Sequence, residues 1–298
     1  MKKSTTLSHH PYQPPAGFVG LQPPTYRAST VVFRNMAAVA SNTWQNKAAY
    51  TYGLHGTPAS FVLEERLAAL EGGQHCLLLP SGLAALALVD YALLQTGDEV
   101  LLPHNAYGPN IALAQHELKR FGIRYQLYNP LDVTDVAAKI NAKTRLIWLE
   151  AAGSVTMEFP DLLGITRLCQ QRGITTALDN TWGAGLAFSP FDLDGQGQGV
   201  GMGLGVDISV HALTKFPCGG GDVLMGSVVT RHAALHQRLM DCHMRTGQGV
   251  GGDDVALILR GLPSMALRYA QHDATARQLA TWLAQQPAVA QVLHPALP

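Results

Sequence analysis

An alternation of short apolar segments with longer amphipathic ones, from residue 61 to residue 230, constrains the fold most strongly. The short segments carry almost no charge and end at Pro, Gly or Asp, as strands buried on both faces do. The longer segments have apolar residues at helical spacing, and several stop at glycine. Predicted strands lie at 75–79, 99–102, 124–128, 146–149, 175–178, 207–213 and 224–230, and predicted helices at 61–71, 83–95, 110–121, 133–141 and 161–172. This order predicts an α/β fold with a mostly parallel sheet and helices on both faces.

The chain on either side of this region is less regular. Residues 1–50 are rich in proline and polar residues, which predicts an extended arm that lies on something else, with a partner subunit as one candidate. The Gly-rich stretch 189–205 predicts a flexible loop. After His232 the pattern is helical, with an expected break at 261–263 (Gly-Leu-Pro) and a last helix at 274–285.

Composition excludes several classes of protein. The 21 basic and 21 acidic side chains cancel, so the chain lacks the positive surface that nucleic-acid binding needs. The four cysteines show no CxxC spacing and no clustering with histidine, which favours free thiols and no metal site. No apolar region of a signal peptide follows the start, and the apolar run 83–94 is interrupted by Asp90 and too short to span a bilayer. We expect a cytoplasmic enzyme.

Three predicted strands end at residues that can do chemistry. Ser81 and Gly82 precede a helix whose free N–H groups can bind a phosphate, although an ordinary helix cap has the same pattern. Asp179 ends another strand, where a carboxylate can cap a helix, bind a metal or keep a pyridine nitrogen protonated. Lys215 ends a third strand, where it is either a surface lysine or a Schiff-base nucleophile held in a buried place. Together these are the three parts that pyridoxal 5′-phosphate (PLP) requires.

Several segments resemble the PLP-dependent enzymes of cysteine and methionine metabolism, the transsulfuration family. They are YTYG at 50–53, LEGG at 70–73, SGLA at 81–84, NAYG at 105–108, DNTW at 179–182 and LTK at 213–215. The stretch GSVTME at 153–158, and Ala212 where many relatives carry serine, look more like the cystathionine β-lyase branch than the γ-synthase or γ-lyase branches.

The resemblance implies fold type I of PLP-dependent enzymes, PLP as cofactor and cleavage of a sulfur amino acid. It implies division into an arm (1–55), a PLP-binding domain (56–260) and the start of a truncated C-terminal domain (261–298). For L-cystathionine, the implied products are homocysteine, pyruvate and ammonia. The implied assembly is a homo-oligomer, a dimer or tetramer with active sites shared between subunits.

The resemblance also implies roles for individual residues. Lys215 forms the imine with PLP and moves protons, Asp179 pairs with the pyridine nitrogen, and Tyr107 stacks on the ring. Tyr52 reaches the phosphate, or the substrate, of a neighbouring subunit. The phosphate is held by the backbone of Gly82 and Leu83 and by hydroxyl groups of Ser81 and Thr214.

The chain departs from the family pattern at four places. Leu54 stands where relatives carry a phosphate-binding arginine, and 219–221 is a glycine run where they carry Gly-His-Ser. The loop 189–205 looks longer than in relatives. The resemblance also implies a small C-terminal domain of which we expect only the start here, so that the sequence is either a fragment or that of a truncated protein. These departures leave a γ-lyase or γ-synthase and a non-catalytic remnant of the fold as alternatives. The GxG repeats of the loop leave a nucleotide-binding protein as a third.

Overall fold

A computed structural model describes residues 2–8, 16–17, 20–47, 50–197 and 203–297. Its strands are β1 (His75–Leu79), β2 (Glu99–Pro103), β3 (Arg124–Tyr128), β4 (Thr144–Glu150), β5 (Thr175–Asp179), β6 (Ile208–Ala212) and β7 (Gly226–Thr230). Its α-helices are α1 (Lys3–Ser8), α2 (Met36–Ser41), α3 (Pro58–Glu71), α4 (Gly82–Leu93), α5 (Gly108–Leu113), α6 (Val133–Lys139), α7 (Leu162–Gln171), α8 (Ala233–Thr246) and α9 (Gly252–Ala284). A 3₁₀ turn covers Gly53–His55, and a π turn covers Ala114–Leu118. Every predicted strand is therefore present, with bounds that shift by at most two residues.

Within the described residues, the strands form one seven-stranded sheet in the order β1-β7-β6-β5-β4-β2-β3. Strand β7 is antiparallel to both of its neighbours, and all other pairs are parallel. Since β7 lies between β1 and β6, those two strands run in the same direction. The predicted mostly parallel sheet is confirmed, and β7 is its one reversed strand.

The core lies on both faces of this sheet because successive side chains of a strand point to opposite faces. In β2, Leu101 packs into the cluster formed with α3, α7 and α9, whereas Val100 and Leu102 pack into the cluster formed with α4 and α8. In β4, Ile147 and Trp148 divide in the same way. Burial on both faces explains why the strands have almost no charged residues.

The local sequence explains where α3 begins and ends. Thr57 and Ser60 form a reciprocal capping box, and Pro58 occupies the first turn, where its missing N–H costs nothing. Gly72 ends the helix in the left-handed conformation with φ of 81°. This helix brings Glu71 under the sheet, where it is 1 % exposed.

The expected helix break at 261–263 is wrong. Helix α9 continues through Pro263, although proline in a helix interior costs about 3 kcal/mol. Its inner face buries Ile258, Leu259, Leu262 and Met265, and full burial of one such side chain contributes roughly 1.5–3 kcal/mol. Packing therefore outweighs the local preference.

The N-terminal region is less irregular than expected. Residues 3–8 form α1, whose Leu7 is 2 % exposed and belongs to the core cluster with α3 and α9. Lys3 donates its Nζ to the carbonyl of Gly185. This first segment packs on the chain's own domain. The predicted domain limits stay predictions.

The described parts of the Gly-rich segment, 189–197 and 203–205, contain turns and no helix or strand. Asp192 accepts a hydrogen bond from the N–H of Gly197 at 2.9 Å, and Asp194 accepts one from the N–H of Leu204 at 3.1 Å. The predicted flexible loop also includes 198–202, which lie outside the described residues. None of the helices in the described chain combines the length and the apolar character that crossing a membrane requires.

Candidate active site

The carboxyl ends of β1, β2, β4, β5 and β6 meet at one edge of the sheet because these strands are parallel. The segments that follow them carry all but one of the predicted site residues. Ser81, Gly82 and Leu83 follow β1, and Tyr107 follows β2. Asp179 ends β5, and Thr214 and Lys215 follow β6. Tyr52 is the exception.

The start of α4 has the geometry expected of a phosphate site. Ser81 is the N-cap, and its Oγ accepts from the N–H of Ala84 at 3.0 Å. The N–H groups of the first turn have no acceptor within the helix. A Cβ on Gly82 would lie 2.6 Å from the Cβ of Ala212, and one on Gly226 would lie 2.4 Å from the carbonyl oxygen of Ser81. The helix start thus packs against β6 and β7 at a distance that only glycine permits.

We expect Gly82→Ala to weaken PLP binding about tenfold or more, because the new methyl group forces the first turn of α4 away from β6. Gly108→Ala is the matched control, since Gly108 also begins a helix and a Cβ there meets nothing within 4 Å. Titrating each apoprotein with PLP gives the dissociation constants. Equal constants for Gly82→Ala and the wild type would contradict the predicted role of this helix start.

Asp179 is held in a turn at the end of β5. Its Oδ1 accepts from the N–H of Thr181 at 3.1 Å and from the Thr181 hydroxyl at 2.6 Å. Burial raises the pKa of Asp179, while the bonds from Thr181 and the nearby His211 and Lys215 lower it. The bonds to Thr181 fit the capping alternative, and both are made to Oδ1 of Asp179. Over the described residues, no three His, Cys, Asp or Glu side chains are placed to hold a metal ion.

Lys215 is exposed, which agrees with the surface alternative and not with a buried strand-end lysine. The turn after β6 lifts it from the sheet: its N–H donates to the carbonyl of Ala212 at 3.2 Å, and its carbonyl accepts from the N–H of Gly219 at 3.2 Å. Thr214, before it, is half-buried. The ammonium group is close enough to Asp179 to lower the pKa of that carboxyl group. The amine is therefore at the site and open to reactants.

Tyr107 lies at the start of α5, with 42 % of its surface exposed. Its backbone N–H donates to Oε2 of Glu150 at 2.7 Å. An exposed aromatic face at the same edge of the sheet as Asp179 and Lys215 can cover a flat ring. Glu150, at the end of β4, was missed by the sequence reasoning, although a carboxylate closing the apolar segment LIWL has the same pattern as Asp179 closing TTAL.

Tyr52 lies apart from the other predicted residues. It is 44 % exposed, forms a β-bridge with Thr30 and contacts His55 edge to face at 5.8 Å between ring centroids. The hollow that it lines, with Phe33 and Trp44, contains none of the other predicted site residues. Among the described residues, the neighbours of Tyr52 are thus Thr30, His55 and the residues of this hollow, and not Lys215.

A second polar group missed by the sequence reasoning lies beneath the site. The Nδ1 of His211 lies 3.3 Å from Oε1 of Glu71, and both side chains are 1 % exposed. Oε2 of Glu71 accepts from Asn180 at 2.9 Å and from the hydroxyl of Ser209 at 2.8 Å. This group underpins β5 and β6 where Asp179 and Lys215 leave the sheet. Alternating burial alone could not reveal it, because its members are far apart in sequence.

The departures at Leu54 and at the glycine run have structural counterparts. Gly219 and Gly221 have φ of 74° and 71°, a conformation that glycine adopts without strain. A Cβ on Gly219 would lie 2.7 Å from Cζ of Arg268, so the run also makes room for α9. Leu54 lies against Gly249, whose Cβ would be 3.0 Å from the Leu54 Cδ1 atom. Leu54 therefore serves packing at that position.

Comparisons with known proteins agree with this geometry. The family model described as Cys/Met metabolism PLP-dependent enzyme matches residues 4–298. The chain is 36% identical over 304 residues to a cystathionine beta-lyase of Bordetella avium, with 100% of this chain and 74% of the relative covered. It is 32% identical over 295 residues to an L-methionine gamma-lyase of Pseudomonas putida, with 99% and 71% covered.

Solved structures give the same result. The crystal structure of metB from Corynebacterium glutamicum matches with a TM-score of 0.88 and 26% sequence identity, over 100% of this chain and 72% of that chain. The predicted α/β fold of the PLP-dependent enzymes and the predicted cofactor class are confirmed.

Proposed function

Because the chain belongs to the family of PLP-dependent enzymes of cysteine and methionine metabolism, we propose that it is a carbon–sulfur β-lyase acting on L-cystathionine or related cysteine S-conjugates. The observation that carries the proposal is the convergence of an amine, a carboxylate, a helix start and an aromatic ring at one sheet edge. These are Lys215, Asp179, the first turn of α4 and Tyr107. The similarity to the Bordetella avium enzyme supports the β-lyase branch.

The residues present fit the cofactor. Ser81, Gly82, Leu83 and Thr214 would hold its phosphate, with the close approach at Gly82 as the structural reason. Tyr107 would cover one face of the ring, and Asp179 would keep the ring nitrogen protonated. Bound PLP supplies an electron sink for the electrons of the substrate α-carbon.

The chain's own groups then act on the substrate. The Lys215 amine takes the proton from the α-carbon and is exposed enough to meet a substrate amino group. The bond between the β-carbon and sulfur breaks, and the thiol leaves with a proton. With one water consumed, L-cystathionine gives homocysteine, pyruvate and ammonia.

We place Tyr52 in the active site of a neighbouring copy of the chain. Its exposed ring lies on the N-terminal arm, in a hollow apart from Lys215, which supports a contribution in trans. The proposed assembly is a homo-oligomer, a dimer or tetramer, whose sites contain residues of two subunits.

The γ-lyase alternative is supported by the relative from Pseudomonas putida, and product analysis separates the two. Incubated with PLP and L-cystathionine, the purified protein should release pyruvate, because the β-carbon bond to sulfur is cleaved. Release of 2-oxobutyrate instead indicates γ-elimination and overturns the β-lyase proposal. Failure to bind PLP at all supports the non-catalytic alternative.

A further inference from the structure

Glu150 is a buried carboxyl group at the carboxyl end of β4. It is 4 % exposed, and it pairs in register with Asp179 on the neighbouring strand β5. Register partners in a parallel sheet point to the same face, so two carboxyl groups lie side by side at the edge where the site is located. A buried carboxylate is costly unless hydrogen bonds or charges hold it.

Each oxygen of Glu150 holds a different segment of the site. Oε2 accepts from the backbone N–H of Tyr107 at 2.7 Å, and Oε1 accepts from the hydroxyl of Ser154 at 2.7 Å. A further hydrogen bond joins the segment before α5 to the turn after β4: Asn105 Nδ2 donates to Thr156 Oγ1 at 3.1 Å. Glu150 thereby joins the start of α5, the turn after β4 and the strand beside Asp179.

We propose that Glu150 is a positioning residue of the cofactor site, which holds the Tyr107 backbone so that its ring covers the cofactor and places a second carboxyl group behind Asp179. The inference rests on the proposed placement of PLP between Tyr107 and Asp179. Glu150 acts through those two residues and not by touching the substrate.

The charges around Glu150 and Asp179 should make the effect of Glu150 on PLP binding depend on pH. Burial, and then the charge of Asp179, raises the pKa of Glu150 to about 7. The phenol of Tyr128 faces Glu150 from β3, while His211 and Lys215 face Asp179 from β6 and the turn after it. Below pH 7 Glu150 is mostly protonated, and above pH 7 it is mostly ionised beside the carboxyl group of Asp179. A cationic ring nitrogen relieves their repulsion, so ionised Glu150 favours PLP binding.

The test compares the PLP dissociation constants of the wild-type, E150Q and E150A apoproteins at about pH 6 and about pH 8. In E150Q the amide oxygen still accepts from Tyr107 and the NH₂ group can donate to Ser154, but the charge is gone. We expect E150A to bind about tenfold or more weakly at both pH values, since the hydrogen bond that holds the Tyr107 backbone is lost. We expect E150Q to match the wild type at the lower pH and to bind several-fold more weakly at the higher pH.

The ratio of each variant's dissociation constant to that of the wild type cancels any pH dependence of PLP binding that all the proteins share. E99Q is the matched control, because Glu99 is also 4 % exposed but lies at the amino end of β2, where it accepts from Asn141 and Thr144. E99Q should leave the PLP dissociation constant unchanged. Urea unfolding midpoints of all variants report stability separately.

The proposal is overturned if E150A and E150Q bind PLP as E99Q does, even with lowered unfolding midpoints, since Glu150 would then be structural only. The proposed effect of the Glu150 charge on Asp179 is also overturned if the ratio of the E150Q to the wild-type dissociation constant is the same at both pH values. If E150A does not fold, E150Q alone decides through this ratio. Failure of the proposed cofactor placement looks different, because the wild type would then not attach PLP to Lys215.

Discussion

Lys215→Ala should abolish covalent attachment of PLP and lower β-elimination roughly a thousandfold or more, because one amine both holds the cofactor and moves the α-proton. Lys215 is the amine that the turn after β6 places near Asp179, and it is exposed to reactants. The helix start and Tyr107 remain in the variant. Non-covalent PLP binding should therefore persist at lower affinity.

Borohydride reduction of the PLP-loaded protein, followed by proteolysis and mass spectrometry, identifies the labelled lysine. Lys139→Ala is the control, since Lys139 pairs with Asp135 at 2.6 Å on α6, and labelling and pyruvate release should be unchanged. A wild-type label on another lysine, or a label of undiminished yield in Lys215→Ala, would show that the assignment is wrong.

Asp90→Asn should stabilise the protein above neutral pH by about 4 kcal/mol, which corresponds to the shift of its pKa. Asp90 is 1 % exposed on α4, among the apolar residues between α4 and β4. Burial raises its pKa to about 7, and the Trp148 Nε1 group, which donates to its Oδ1 at 2.9 Å, offsets part of this shift. An asparagine keeps an acceptor for Trp148 without a charge.

The direction of the pH effect follows from the protonation of Asp90 in the folded and unfolded states. Between about pH 4 and pH 7 the folded protein holds a proton on Asp90 that the unfolded chain has released, so the free energy of unfolding falls as pH rises through this range. Asp90→Asn lacks this slope. The two proteins should be equally stable near pH 4, and the variant should be the more stable above pH 7.

Urea unfolding from about pH 5 to about pH 8, at one protein concentration, measures the difference. Asp273→Asn is the control: Asp273 is exposed and Arg277 lowers its pKa, so its replacement should give no gain at high pH. If the variant is no more stable than the wild type at pH 8, ionisation of Asp90 does not destabilise the folded protein, and the prediction is wrong.

The fold and much of the candidate site could be predicted from local sequence. Strands of four to seven residues with almost no charge, between helices with glycine stops, predicted the sheet, because burial on both faces and helix capping act over a few residues. Ser81, Asp179 and Lys215 could be predicted as site residues because each lies at the carboxyl end of a strand, and parallel strands bring these ends to one edge of the sheet. The segments resembling the transsulfuration family added Tyr107 and Thr214.

Tertiary packing decided the rest. Helix α9 passes through Pro263 because its buried inner face outweighs a local cost that sequence reasoning took as decisive. Lys215 is exposed because the turn after β6 lifts it from the sheet. The pairing of Glu150 with Asp179, and of Glu71 with His211, depends on strand order and register, which bring together residues 29 and 140 positions apart. The sequence by itself determined the seven strands, most of the helices between them and the residue types that end them. Only the tertiary structure decided which of those residues lie close enough to shift one another's pKa. The distances between them are set by long-range packing and not by local preference.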